Sequence, residues 1–144
     1  DQMPMFAYKR LRAVFGDLKD KRIAFLGVSY RGDVGDTRYT PVRGLYELVS
    51  VDSSEIIIHD PFVEFWEELN LDVINSIDQI FNFDPDLLIF STAHRFYEDS
   101  NFFEKIMDLK KLLIFDTVGL FTEKQIERLS QKHKVSVIGR GDLS

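Results

Sequence analysis

From Arg22 onward, short apolar runs alternate along the chain with stretches of helical spacing. The runs are residues 23–26, 56–58, 87–90, 112–115 and 135–138, and most are continuously apolar rather than alternating. Strands buried on both faces of a parallel sheet have that pattern. Between the runs lie helix starts. Thr40-Pro41 sets a capping hydroxyl before a proline at the first helical position, with Val42, Leu45, Tyr46 and Val49 following at helical spacing. Asp60-Pro61 repeats the signal and predicts a helix carrying Phe62, Val63, Trp66 and Leu69. Ser76 with Gln79, and Thr122 with Gln125, each fit a capping box, and Asn101 precedes Phe102, Phe103 and Ile106. Ahead of the first run, Met5, Tyr8, Leu11, Phe15 and Leu18 form one apolar stripe of an amphipathic helix. Gly16 and the charge run 17–22 are read as its stop. Strand and helix alternating about five times predict an α/β fold: a doubly wound, mostly parallel, Rossmann-like sheet of about five to six strands flanked by helices.

Composition narrows the function classes. The 144 residues hold 18 Lys+Arg against 24 Asp+Glu, a formal net charge of −6. That balance argues against wrapping nucleic acid, whose phosphates are met by clustered cations. No apolar run approaches the ~20 residues of a membrane span. A cytoplasmic protein, in contact with neither membrane nor nucleic acid, is expected. The absence of cysteine excludes a disulfide scaffold and a cysteine nucleophile within the chain. The three histidines, at 59, 94 and 133, lack metal-ligand spacing, so no metal site is expected. The sequence opens at Asp1 directly on a helical pattern, which suggests a piece of something longer.

In open parallel sheets, ligands bind beyond the carboxyl ends of the strands. The informative segment is therefore 27–41, after the first run, with three glycines, Tyr30, Arg31, Asp36 and Arg38, leading into a helix start. Glycines allow close backbone approach, arginine offers a fork for phosphate, and a tyrosine can stack on a base. Neither G-x-G-x-x-G nor G-x-x-x-x-G-K-[ST] is present. Two readings stand side by side: an anion-binding loop, or a surface loop in which Asp36 and Arg38 pair with each other or cap neighbouring helices. Asp60 is either a ribose-binding acid or, the favoured reading, the cap before Pro61. His94 either lines a pocket or is a partly exposed structural histidine. Asp116 ends the fourth run, with Gly119 suggesting a turn.

Residues 21–31, followed by Gly35-Asp36-Thr37-Arg38 and Pro41, resemble the C-terminal domain of the UDP-glucose/GDP-mannose dehydrogenase family. That family shows a strand, a glycine, an aromatic-Lys pair and then Asp-x-Arg. His59-Asp60-Pro61 looks like its second-strand ending, and Ser91-Thr92-Ala93-His94 like the element after its third long strand. Met3-Pro4 and the opening helix look like the tail of its central domain, so the resemblance spans essentially the whole chain.

The resemblance implies NAD-dependent oxidation of the C6 alcohol of a nucleotide sugar to a carboxylate, in two hydride transfers. It divides the chain into residues 1–20, the helix ending a central dimerisation domain, and residues 21–144, the nucleotide-sugar-binding α/β domain. Substrate-binding roles follow for Tyr30, Arg31 and Asp36, and a role toward the cofactor phosphates for Arg38. NAD itself is held mainly by an N-terminal domain outside this chain. The implied partners are a UDP-sugar, the enzyme's own N-terminal and central domains, and further copies in a homo-oligomer. The family nucleophile is a cysteine, so this chain alone is not catalytically competent. Two departures stand out: Arg31 replaces the usual lysine, and Asp116-Thr117-Val118-Gly119 lacks the arginine of a later Asp-x-Arg. The alternative reading is a stand-alone nucleotide-binding or regulatory module without catalysis.

Overall fold

The computed structural model describes residues 3–53 and 55–138. Its first half runs α1 (Met3–Phe15), β1 (Ile23–Leu26), α2 (Val42–Asp52), β2 (Ile56–His59), and then β3 (Phe65–Trp66) and β4 (Leu71–Asp72). The second half runs α3 (Ile77–Asn82), β5 (Leu87–Phe90), α4 (Arg95–Glu98), α5 (Ser100–Met107), β6 (Leu113–Asp116), α6 (Glu123–Ser130) and β7 (Lys134–Val137). Five strands pair in one parallel sheet in the order β2-β1-β5-β6-β7, and β3 and β4 form a separate antiparallel pair.

The continuous apolar runs form central strands because both faces of the sheet are covered. Ile23, Phe25, Leu87, Ile89 and Phe115 point into a core with Ala7, Leu11 and Phe15 of α1, Leu18 just after it, and Val42, Leu45 and Val49 of α2. Ala24, Leu26, Leu88, Phe90 and Ile114 point the other way, onto Ile80, Phe102, Phe103, Ile106 and Leu129. Every side chain of β1 and β5 is buried. At ~25 cal/mol per Å² of apolar surface removed from water, these two faces are the main stabilising term.

The predicted doubly wound sheet is present, and the differences are local. No α-helix forms after Asp60-Pro61; the segment instead makes the β3–β4 hairpin, with one 3-10 turn at Glu67–Leu69, and drives Trp66 fully into the core. Asn70 in the left-handed region (φ 55°) turns the hairpin. The cap is missing because the Asp60 carboxylate serves only the Phe62 N–H on this side and is otherwise turned inward. The stripe on α1 is rotated from the predicted one: Ala7, Leu11 and Phe15 are buried while Met5 is exposed. Thr40 Oγ1 does accept the Val42 N–H at 3.3 Å, but α2 begins one residue later than predicted. Asp99, rather than Asn101, caps α5, accepting from Asn101 N–H at 2.7 Å. Thr122 and Gln125 form the capping box expected of them. Among the described residues no helix is long and apolar enough to cross a membrane.

Candidate functional site

The chain leaves β1 toward β2 on one side and returns past it to β5 on the other. A reversal of this kind opens a crevice at the carboxyl ends of the two strands that flank it. Here those strands are β1 and β5, followed by segments 27–41 and 91–94.

The two segments are packed against each other. Gly27 has φ +105°, and a Cβ there would collide with the Thr92 side chain and backbone. A Cβ on Gly32 would strike the Ala93 carbonyl. Ser91 Oγ donates to the Gly27 carbonyl (2.6 Å), and both Thr92 Oγ1 (3.2 Å) and Thr40 Oγ1 (3.1 Å) donate to Ser29 O. The loop closes on itself through Tyr30 N–H to Asp36 O.

Beneath the loop lies a buried carboxylate. Asp60 Oδ2 accepts from Val28 N–H, Ser29 Oγ and His94 Nε2, each at 2.9 Å, while Oδ1 accepts from Phe62 N–H at 2.8 Å. Burial pushes the Asp60 pKa up, but these donors outweigh it and hold the carboxyl below its usual range. The other His94 nitrogen, Nδ1, lies 2.8 Å from the Asp33 N–H. An amide can only donate, so Nδ1 accepts and the ring proton sits on Nε2. Asp33 is itself held in the left-handed region (φ 61°), and its carboxylate accepts from the Arg95 N–H at 2.9 Å. Neighbouring His59 is fully buried; its Nδ1 lies 2.8 Å from the Tyr97 hydroxyl, and burial drives its pKa down to about 4.

The residues predicted for the site are thus on one loop at the expected sheet edge. Tyr30 is 54% exposed, and Arg31 is exposed with no hydrogen bond or ion pair to the described residues. Asp36 and Arg38 pair with each other: Nε and Nη2 of Arg38 each meet a carboxylate oxygen at 3.0 Å. That bidentate bond lowers the Asp36 pKa. The Arg38 side chain remains 74% exposed, and Nη1 has no partner among the described residues. Next to it, Tyr39 is 92% exposed at φ 58°.

Two expectations are corrected. Asp60 is neither an outward ribose-binding acid nor a helix cap, because its oxygens are consumed beneath the loop. His94 is not partly exposed; it is fully buried as the link between Asp60 and Asp33. Asp116 does make a turn, accepting from the N–H groups of Val118 (3.0 Å) and Phe121 (3.2 Å), while burial pushes its pKa up. Sequence reasoning missed Ser29 and Asp33. The available signal was that strand ends at 59 and 90 become neighbours of 26 once the strand order is known.

Residues 24–123 match the family model for the UDP-binding domain of UDP-glucose/GDP-mannose dehydrogenases. The chain is 29% identical over 114 residues to the UDP-N-acetyl-D-mannosamine dehydrogenase of Methanococcus aeolicus, covering 78% of this chain and 24% of that one. Against UDP-glucose 6-dehydrogenase 1 of Arabidopsis thaliana, identity is 34% over 58 residues, 40% of this chain and 12% of the relative. The solved structure of a UDP-D-ManNAc dehydrogenase from Pyrococcus horikoshii superimposes with a TM-score of 0.72 at 24% identity, over 98% of this chain and 32% of that one. At that identity the likeness carries the fold. The chain spans between about an eighth and a third of the proteins it matches.

Proposed function

The chain belongs to the UDP-glucose/GDP-mannose dehydrogenase family as its UDP-binding domain, and on that premise we propose that it binds the UDP-sugar substrate of an NAD-dependent 6-dehydrogenase through the loop 27–41. The observation that carries this reading is the placement of exposed Tyr30 beside exposed Arg31, which has no partner among the described residues, at the switch point inside the matched segment. Arg31 presents an exposed guanidinium, unpaired among the described residues, whose planar fork matches diphosphate oxygens. Tyr30 supplies an aromatic face beside it.

The parent reaction is oxidation of a sugar C6 alcohol to a carboxylate, and NAD supplies the hydride acceptor when it is bound. NAD rests mainly on a separate N-terminal domain, and the nucleophilic cysteine lies outside this cysteine-free chain. Arg38 fits a role toward the cofactor phosphates, because its side chain is 74% exposed while Asp36 steadies Nε and Nη2. Asp36 therefore serves the site as the anchor of Arg38 and, through its carbonyl, of Tyr30. Residues 1–20 are the end of the preceding dimerisation domain. Residues 21–144 are the nucleotide-sugar-binding domain of a cytoplasmic homo-oligomer.

Calorimetric titration with UDP tests the reading. The chain is expected to bind UDP, and Arg31→Ala to weaken binding by about 1.5–3 kcal/mol, the range for a hydrogen bond to a charged group. Unchanged affinity in the variant, or a response to NAD without one to UDP, overturns it.

A further inference from the structure

Tyr30 and Arg31 sit between two points at which the loop is gripped from below. At 28–29 the grip is the Asp60 carboxylate, through Val28 N–H and Ser29 Oγ. At 33 it is the imidazole of His94, through the Asp33 N–H. The two grips are one unit, since His94 Nε2 donates to the same Asp60 oxygen. Asp33 needs the grip: a non-glycine residue at φ 61° persists only where its surroundings hold it. Its carboxylate adds a clasp on Arg95, with the backbone N–H at 2.9 Å and Nε at 3.2 Å.

We propose that His94 is a positioning residue for nucleotide-sugar binding, its Nδ1 fixing the strained Asp33 so that Tyr30 and Arg31 are presented in one binding-competent arrangement. This rests on the reading of Tyr30 and Arg31 as ligand contacts. His94 is buried and touches no ligand; it acts on the competent fraction of the loop. Apparent affinity falls in proportion to that fraction, so a loop competent one-tenth of the time binds tenfold more weakly.

The two ring nitrogens can be replaced separately. An asparagine carbonyl stands near the Nδ1 position and can accept the Asp33 N–H, but it leaves Asp60 without its ring donor. A glutamine amide nitrogen stands near Nε2 and can keep the Asp60 bond, but it abandons Asp33. Positioning through Nδ1 therefore predicts a crossed result. His94→Gln retains most of its urea stability yet binds UDP about tenfold or more weakly, with faster amide exchange at Asp33. His94→Asn is less stable but binds UDP within about threefold of the parent. A purely structural histidine would make affinity follow stability in both variants, which overturns the proposal. Unchanged Asp33 exchange in His94→Gln overturns it without any ligand. Arg31→Ala measured alongside separates the two failures. If Arg31→Ala weakens binding and His94→Gln does not, the inference fails; if Arg31→Ala has no effect, the underlying reading fails.

Discussion

The two edges of the parallel sheet each bury a histidine, and the two rings are wired alike. At the amino edge, His133 Nδ1 accepts the Leu112 N–H at 2.9 Å and Nε2 donates to the Ile106 carbonyl at 3.0 Å. At the carboxyl edge, His94 Nδ1 accepts the Asp33 N–H and Nε2 donates to Asp60. The difference is the acceptor opposite Nε2. A backbone carbonyl keeps the bonds local, so His133 staples the end of α5 to the start of β6. A carboxylate has about four acceptor positions, and Asp60 uses its own to gather 28–29, 62 and 94. One edge is fastened; the other is organised around a charge.

The largest effect is expected from removing that charge. Asp60→Ala leaves two backbone donors, a hydroxyl and an imidazole N–H unmatched in the interior, and should lower stability by about 3–5 kcal/mol in urea unfolding. UDP binding should be lost with it. The corresponding cut at the other edge, His133→Leu, strands the Leu112 N–H, while the Ile106 carbonyl keeps the Leu109 N–H, and should cost about 1–3 kcal/mol, with UDP affinity intact in the folded variant. Equal losses at both edges would erase the distinction.

Acid should reach the carboxyl edge through His59. Its folded pKa is about 4, against about 6.5 in an unfolded chain, so between those values the unfolded state binds the extra proton. Stability is therefore full above pH 6.5 and falls by about 3 kcal/mol as pH drops toward 4. Below that window the depressed Asp60 carboxyl extends the loss as it protonates. Urea midpoints at pH 7, 5.5 and 4 measure the slope, and His59→Phe should flatten it; an unchanged slope in that variant would assign the acid sensitivity elsewhere.

The smallest effect belongs to the loop's outer surface. Arg38→Ala removes an exposed ion pair, and such pairs contribute little. The melting point and UDP affinity of the chain should not move. In the full-length enzyme the NAD Michaelis constant should rise, and identical steady-state kinetics would leave Arg38 as surface decoration.

The sheet and its two faces were legible because burial on both sides writes itself as unbroken apolar runs such as Leu87-Leu88-Ile89-Phe90. The loop was legible too, since glycines and arginines collect directly after the first run. What holds the loop was not. His94 meets Asp33 and Asp60 across 61 and 34 positions of sequence, and no local pattern records such a meeting. Asp60-Pro61 misled for the same reason. Its local signal is that of a helix cap, but the loop after β1 claimed the carboxylate first.

The β1–β5 pairing also sets an order of events. Ile23 aligns with Leu87, and the loop floor bonds Ser91 to Gly27 across 64 residues. Closing that stretch carries an entropic cost that must be met before any contact repays it, which makes long-range parallel pairing intrinsically slow. The helix pair α1 and α2 and the neighbouring strands β1 and β2 can assemble from the first 59 residues. The crevice cannot, because one of its walls has yet to arrive. A chain lacking β5 therefore keeps Asp60 under Val28 and Ser29 but lacks Ser91, Thr92 and His94, so Tyr30 and Arg31 are held on one side only and the loop reaches its final form after β5 has docked.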